Sequence, residues 1–98
     1  MTKSEVAAKM AAAGAWVPGK RVKLDFIGEG PILLDGQANT VTEDDGAADT
    51  TLKAAPEDWH AMFEQRLDGM TAFMTGKLKV EGDMSNAMQL QGVLAKLR

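Results

Sequence analysis

Cysteine is absent, histidine occurs once, and aromatic residues make up 5% of the 98 positions. Without cysteine there is no disulfide framework, no thiolate chemistry and no cysteine-bound zinc. A single histidine excludes a multi-histidine metal centre. Eleven basic against 14 acidic residues leave a net charge of -3, with no cluster of lysines or arginines, so no nucleic-acid partner is expected. No apolar run approaches the ~20 residues that cross a bilayer, and no stable membrane insertion is expected. The opening stretch carries Lys3 and many alanines, as a leader peptide would, but Glu5 and Lys9 interrupt its apolar part. It reads as an amphipathic helix of a cytoplasmic protein.

What is present is an ordinary 45% of apolar residues, enough for one small domain over residues 1–98 that buries about 60–65% of its unfolded surface. Seven methionines stand out, and Met62, Met70, Met74, Met84 and Met88 all fall after residue 61. Methionine is the flexible filler of irregular cores and also the side chain of apolar surfaces that adapt to varied partners. Both readings stay open on composition alone.

The chain is organised around Thr75–Leu97. Lys77–Glu81 alternates with a period of two: Lys77, Lys79 and Glu81 face one way, Leu78 and Val80 the other, as in a strand with one wet face. Gly82 breaks it and Asp83 is placed as a helix N-cap. From Met84 the period becomes 3.6, with Ala87, Leu90, Leu94 and Leu97 on one face and Met84 and Met88 along its flank.

Upstream, Ser4–Ala13 reads as a helix with Ser4 as N-cap and Val6, Met10 and Ala13 on one face, closed by Gly14. Trp16 is read as a plug over the core edge, with ligand binding as the second choice. Strands are expected over Lys20–Ile27, Ile32–Asp35, Gln37–Thr42 and Ala48–Ala54, with Asp35-Gly36 as a hairpin turn. The glycines of Gly28-Glu29-Gly30-Pro31 precede no helix, so they form a tight connection and not a phosphate loop. Glu43-Asp44-Asp45 with Asp49 lacks the ligand spacing of a hard-cation loop and reads as a solvated turn; no metal is expected. Pro56 starts a helix at its first position. Trp59, Met62 and Phe63 share one face of it with Arg66. Gly69 separates it from Met70–Met74. The order predicts an α+β domain: a five-stranded, mostly antiparallel sheet with helices packed on one face.

No nucleophile, base and orienting group are spaced for covalent catalysis, and His60 reads as a surface or rim histidine. The sequence makes no positive case for an enzyme, a catalytic residue or a cofactor. The ordered landmarks, however, resemble the sterol carrier protein-2 family of lipid-transfer domains. The segment Gly76-Lys77-Leu78-Lys79-Val80-Glu81-Gly82-Asp83-Met84 with Ala87-Met88-Gln89-Leu90 is similar to the family's terminal strand–glycine–helix signature. Ala48-Asp49, Pro56-Glu57-Asp58 and Gly69–Thr75 match earlier landmarks in order and approximate spacing, and the resemblance spans Lys20–Leu97.

That resemblance implies an apolar tunnel between sheet and helices that holds a fatty acid, fatty acyl-CoA, phospholipid or sterol without chemical change. Leaving a pocket of about 300 Å³ empty costs about 7 kcal/mol, comparable with the about 5–15 kcal/mol that holds a small domain together. Such a tunnel is filled by ligand or collapses, and methionines that repack permit both. Trp59, Met62, Phe63, Met70, Phe73, Met74, Met84, Met88 and Leu94 are expected to line it. Arg66 either pairs with a lipid head group or lays its stem along the core with its charge in water. The short alanine-rich first helix leaves its side of the tunnel open or completed by a second subunit, so a homodimer is among the expected states. The compressed loops favour an acyl chain over a sterol. Some longer members end in a peroxisomal tripeptide, whereas Ala95-Lys96-Leu97 is followed here by Arg98. The rival reading is the same fold used as an accessory or dimerisation module without a ligand.

Overall fold

A computed structural model describes residues 3–64 and 66–94, with the backbone alone at 91, 93 and 94. The elements are α1 (Lys3–Ala13), β1 (Arg21–Phe26), β2 (Gly30–Asp35), β3 (Thr40–Thr42), β4 (Thr50–Ala54), α2 (Pro56–Phe63), α3 (Gly69–Met74), β5 (Lys79–Gly82) and α4 (Met84–Leu94). The strands form one sheet in the order β3-β2-β1-β4-β5. Three pairings are antiparallel, but β1 and β4 run parallel at its centre, with Leu24 beside Leu52 and Phe26 beside Ala54. The sheet is therefore mixed, with antiparallel pairs in the majority.

Strand alternation sorts the two faces. Val22, Leu24 and Phe26 of β1 meet Ile32 and Leu34 of β2 and Leu52 and Ala54 of β4 on one face. Val6 and Met10 of α1, Trp59 of α2, Ala72 of α3, and Ala87 and Leu90 of α4 join the same buried cluster. The four helices thus cover one face, as their apolar stripes require. The opposite face carries Arg21, Lys23, Asp25, Lys53 and Glu81. Arg21 and Asp35, directly opposite in the ladder, pair at 3.3 Å.

The connection from β3 to β4 must pass β2 and β1 to reach its strand, and residues 43–49 cross that polar face. Its acids act as ties. Glu43 meets Lys3 at 3.4 Å and the Ser4 hydroxyl at 3.3 Å, Asp45 meets Lys23 at 2.7 Å, and Asp49 accepts the Arg21 amide at 2.9 Å. Gly46 lies over Leu33, the one apolar strand residue buried on this side: a Cβ on Gly46 would stand 3.5 Å from its Cδ2. Among the described residues no three histidines, cysteines or carboxylates converge as metal ligands.

Several boundaries differ from the sequence reading for local reasons. Ser4 lies inside α1 and bonds Glu43 instead of capping, and Ala13 is exposed, not buried. β3 begins only at Thr40 because the Asp35 carboxylate accepts the amides of Gln37 and Ala38, at 2.9 and 3.0 Å, and curls that segment into a turn. β5 begins at Lys79 because the Ala72 carbonyl takes the amides of both Lys77 and Leu78, at 2.9 and 3.0 Å.

The join between β5 and α4 carries a polar lock that the apolar pattern does not show. Thr50 and Asn86 are both buried. The Thr50 hydroxyl donates to the Asp83 carbonyl at 2.7 Å and accepts from the Asn86 amide at 3.2 Å. Gly82 sits at φ 93°, and a side chain there would drive its Cβ into the Asp49 carbonyl.

Asp83 caps α4 as expected, accepting from the Ser85 amide at 2.9 Å. The Ser85 hydroxyl, then its amide, hold the Asp83 carboxyl below its ordinary 3.8. A group depressed in the folded state contributes stability that is complete above its unfolded pKa and is lost as pH falls through the folded one. The stability difference between wild type and Asp83→Asn is therefore expected to shrink as acid unfolding is followed below pH 3.8. A difference that stays constant down to the acid limb would contradict this assignment.

Candidate functional site

The most ordered part of the helix–sheet interface is an aromatic column. Trp59 stacks on Phe26 with ring centroids 5.4 Å apart and on Phe63 at 5.8 Å, and Phe26 and Phe63 approach to 6.4 Å. Pro56 fixes the start of α2 one residue past Ala55, directly after β4, so Trp59 on the first inward-facing turn drops onto the end of β1. Its indole N–H donates to the Asp25 carbonyl at 3.0 Å, which satisfies a donor that is 1% exposed. Phe63, one turn on, is half-buried, as are Met62, Leu67 and Val80 around the same cluster. The column runs from the sheet floor toward the helical surface.

The remaining expected lining residues are on that surface. Met70, Phe73 and Met74 of α3 are 47%, 38% and 78% exposed, and Met84 and Met88 of α4 are 45% and 63% exposed. Only Ala72 of α3 turns inward. The structure thus unites Trp59 and Phe63 through Phe26, sets Met62 beside them, and leaves five large apolar side chains uncovered between residues 70 and 88. The Leu94 side chain lies outside the described residues. Each is worth about 1.5–3 kcal/mol when fully buried.

Arg66 requires a correction. The Ala61 carbonyl takes the amides of Arg66 and Leu67, at 2.8 and 3.1 Å, and α2 has ended at Phe63, so Arg66 does not share the apolar helix face. Its guanidinium pairs with Glu64 at 2.6 Å with 66% of the side chain exposed. The charge is in water, as one of the two readings had it, and the stem is largely in water too. His60 is half-buried on the flank of α2.

A concavity of about 450 Å³ lies on the polar face among Lys23, Asp25, Thr51, Lys53, Asp45 and Glu81. Four of its five charged side chains are already paired, Lys23 with Asp45 at 2.7 Å and Lys53 with Glu81 at 2.9 Å. No single-sign field is left there to attract a charged ligand. Among the described residues no helix is long and apolar enough to cross a membrane.

A mixed five-stranded sheet with every helix on one side, a buried aromatic column and an exposed sulfur-rich surface over that side define an α+β domain built around an apolar helix–sheet interface. The chain belongs to the SCP-2 sterol transfer family, whose model matches residues 5–95. It is 36% identical over 61 residues to sterol carrier protein 2 of Bos taurus, covering 62% of this chain and 11% of that protein. It is 38% identical over 56 residues to stomatin-like protein 1 of Mus musculus, covering 57% of this chain and 14% of that protein. The chain therefore matches only a small part of these relatives' length. In structure it is similar to sterol carrier protein-2 of Aedes aegypti, solved in complex with palmitate, with a TM-score of 0.81, 22% identity and 100% of both chains covered.

Proposed function

We propose that this domain binds an acyl-chain lipid in its helix–sheet interface and carries it without chemical change, in the cytoplasm. The observation that carries the reading is the set of five uncovered apolar side chains on α3 and α4, on the same helical layer as the Trp59–Phe63 stack. The C16 fatty acid held by the Aedes relative supports an acyl chain as the ligand class. Met70, Phe73, Met74, Met84 and Met88 form the mouth, Met62 and Phe63 the neck, and Trp59 the floor. A chain entering there covers the exposed residues and gains about 0.8 kcal/mol for each methylene removed from water. Methionine suits the task because it repacks around chains of different length at little cost. Arg66 is held by Glu64 and is left out of the head-group role.

Titration of delipidated protein with a fluorescent fatty acid, with native mass spectrometry of the untreated preparation, tests the reading. One chain bound per domain is expected, accompanied by a change in tryptophan emission that disappears in Trp59→Phe. Stoichiometric binding to neither palmitate nor a phospholipid, and no lipid in the native spectrum, would overturn it.

A further inference from the structure

β5 ends the sheet, with β4 on one side and, among the described residues, no strand on the other. Lys79, Glu81 and Gly82 of this edge are exposed and Val80 is half-buried against the core. Lys79 pairs with no acid among the described residues, while Glu81 reaches back to Lys53 at 2.9 Å. Edge strands are often blunted by charged side chains, by a short length or by a covering element. Here the strand carries both signs, Lys79 before Val80 and Glu81 after it.

We propose that β5 is an edge-to-edge docking strand for a second copy of this chain, antiparallel about Val80, joining two sheets into one of ten strands. In that register each residue 80+n faces residue 80−n of the partner copy. Lys79 then opposes Glu81 twice on the polar face. The Val80 side chains meet on the core face. A parallel pairing in register would instead set lysine against lysine and glutamate against glutamate, so the strand is complementary to itself in one orientation only. Two-fold symmetry makes such a contact closed and not fibre-forming. A stable interface buries about 800 Å² on each partner, more than a four-residue strand supplies, so the contact is a weak one that forms at high protein concentration. The proposal rests on strand charge and sheet topology, so it stands or falls separately from lipid binding.

Sedimentation equilibrium from micromolar to millimolar protein, with native mass spectrometry, reads the association. Wild type is expected to show a concentration-dependent dimer. Lys79→Glu and Glu81→Lys each set like charges opposite one another at two places and are expected to weaken the dimer at least about tenfold. An equimolar mixture of the two variants is expected to form a heterodimer in preference to either homodimer, and Lys79→Glu/Glu81→Lys together to restore the homodimer. Breaking the exposed Lys53–Glu81 pair costs little stability, and circular dichroism checks that each variant is folded. Wild type that stays monomeric throughout, single variants that dimerise as well as wild type, or a mixture without preference for the heterodimer would each overturn the proposal.

Discussion

Met74→Glu with Met88→Glu is expected to weaken fatty-acid binding at least about 100-fold, about 2.8 kcal/mol, while leaving the unfolding midpoint nearly unchanged. The two side chains are 78% and 63% exposed, and substitutions at such positions normally move stability within about 0.5 kcal/mol. Binding is different, because an acyl chain entering past α3 and α4 would have to strip water from two carboxylates, each far costlier to bury than a thioether. The fatty-acid head group would also meet charge of its own sign. Met74→Gln/Met88→Gln separates these contributions, since it keeps the polarity and removes the charge. Met74→Leu/Met88→Leu is expected to bind nearly as wild type. A glutamate variant with wild-type affinity would move the ligand mouth away from this surface.

Gly36→Ala is expected to have the largest effect on folding, more than about 3 kcal/mol, beyond the usual 1–3 kcal/mol of overpacking. A Cβ on Gly36 would sit inside the Val17 carbonyl and 2.8 Å from the Lys20 oxygen. Both obstacles are backbone, and the same backbone is tied in place by the bonds from Gly36 N to Lys20 O at 2.7 Å and from Gly19 N to Gly36 O at 3.0 Å. Neither side can rotate away as a side-chain tip would. Denaturant unfolding is expected to show a low midpoint or an unfolded variant. Gly28→Ala is the control, since its Cβ would meet nothing within 4 Å, although its φ of 88° brings backbone strain alone. A Gly36→Ala midpoint no lower than that control would show that the turn relaxes more easily than its contacts imply.

These two residues also show where sequence reading works and where it stops. Asp35-Gly36 was legible as a turn, but for a different reason: Gly36 does not take a positive φ, and the left-handed residue of the turn is Asn39 at φ 57°. What the position demands is close approach of the Pro18-Gly19 turn, a contact between segments that no local pattern records. The faces of β1, the Pro56 start of α2 and the Asp83 cap were legible because each follows from a residue and its immediate neighbours. The parallel seam between β1 and β4 was not, since alternation says which way a side chain points and nothing about which strand lies beside it. Periodicity also marks a methionine as apolar without saying whether anything covers it. Met84 and Met88 flank the right stripe and are nonetheless exposed. Extending the 3.6-residue period past Phe63 likewise placed Arg66 on a helix that had already ended. Asn86, polar at an inward position, breaks the α4 stripe and could have flagged the lock with Thr50.

The central parallel pairing has a consequence for how the chain emerges during synthesis. β1, β2 and β3 are complete by Thr42, yet the inner edge of β1 has no neighbour until Thr50–Ala54 arrives. Until then the nascent half displays an open row of amides and carbonyls beside Val22, Leu24 and Phe26, with only α1 to shelter them. Such an edge is adhesive toward other chains. Ribosome-bound fragments that stop before residue 50 are therefore expected to need chaperone cover, and release from it coincides with the arrival of β4.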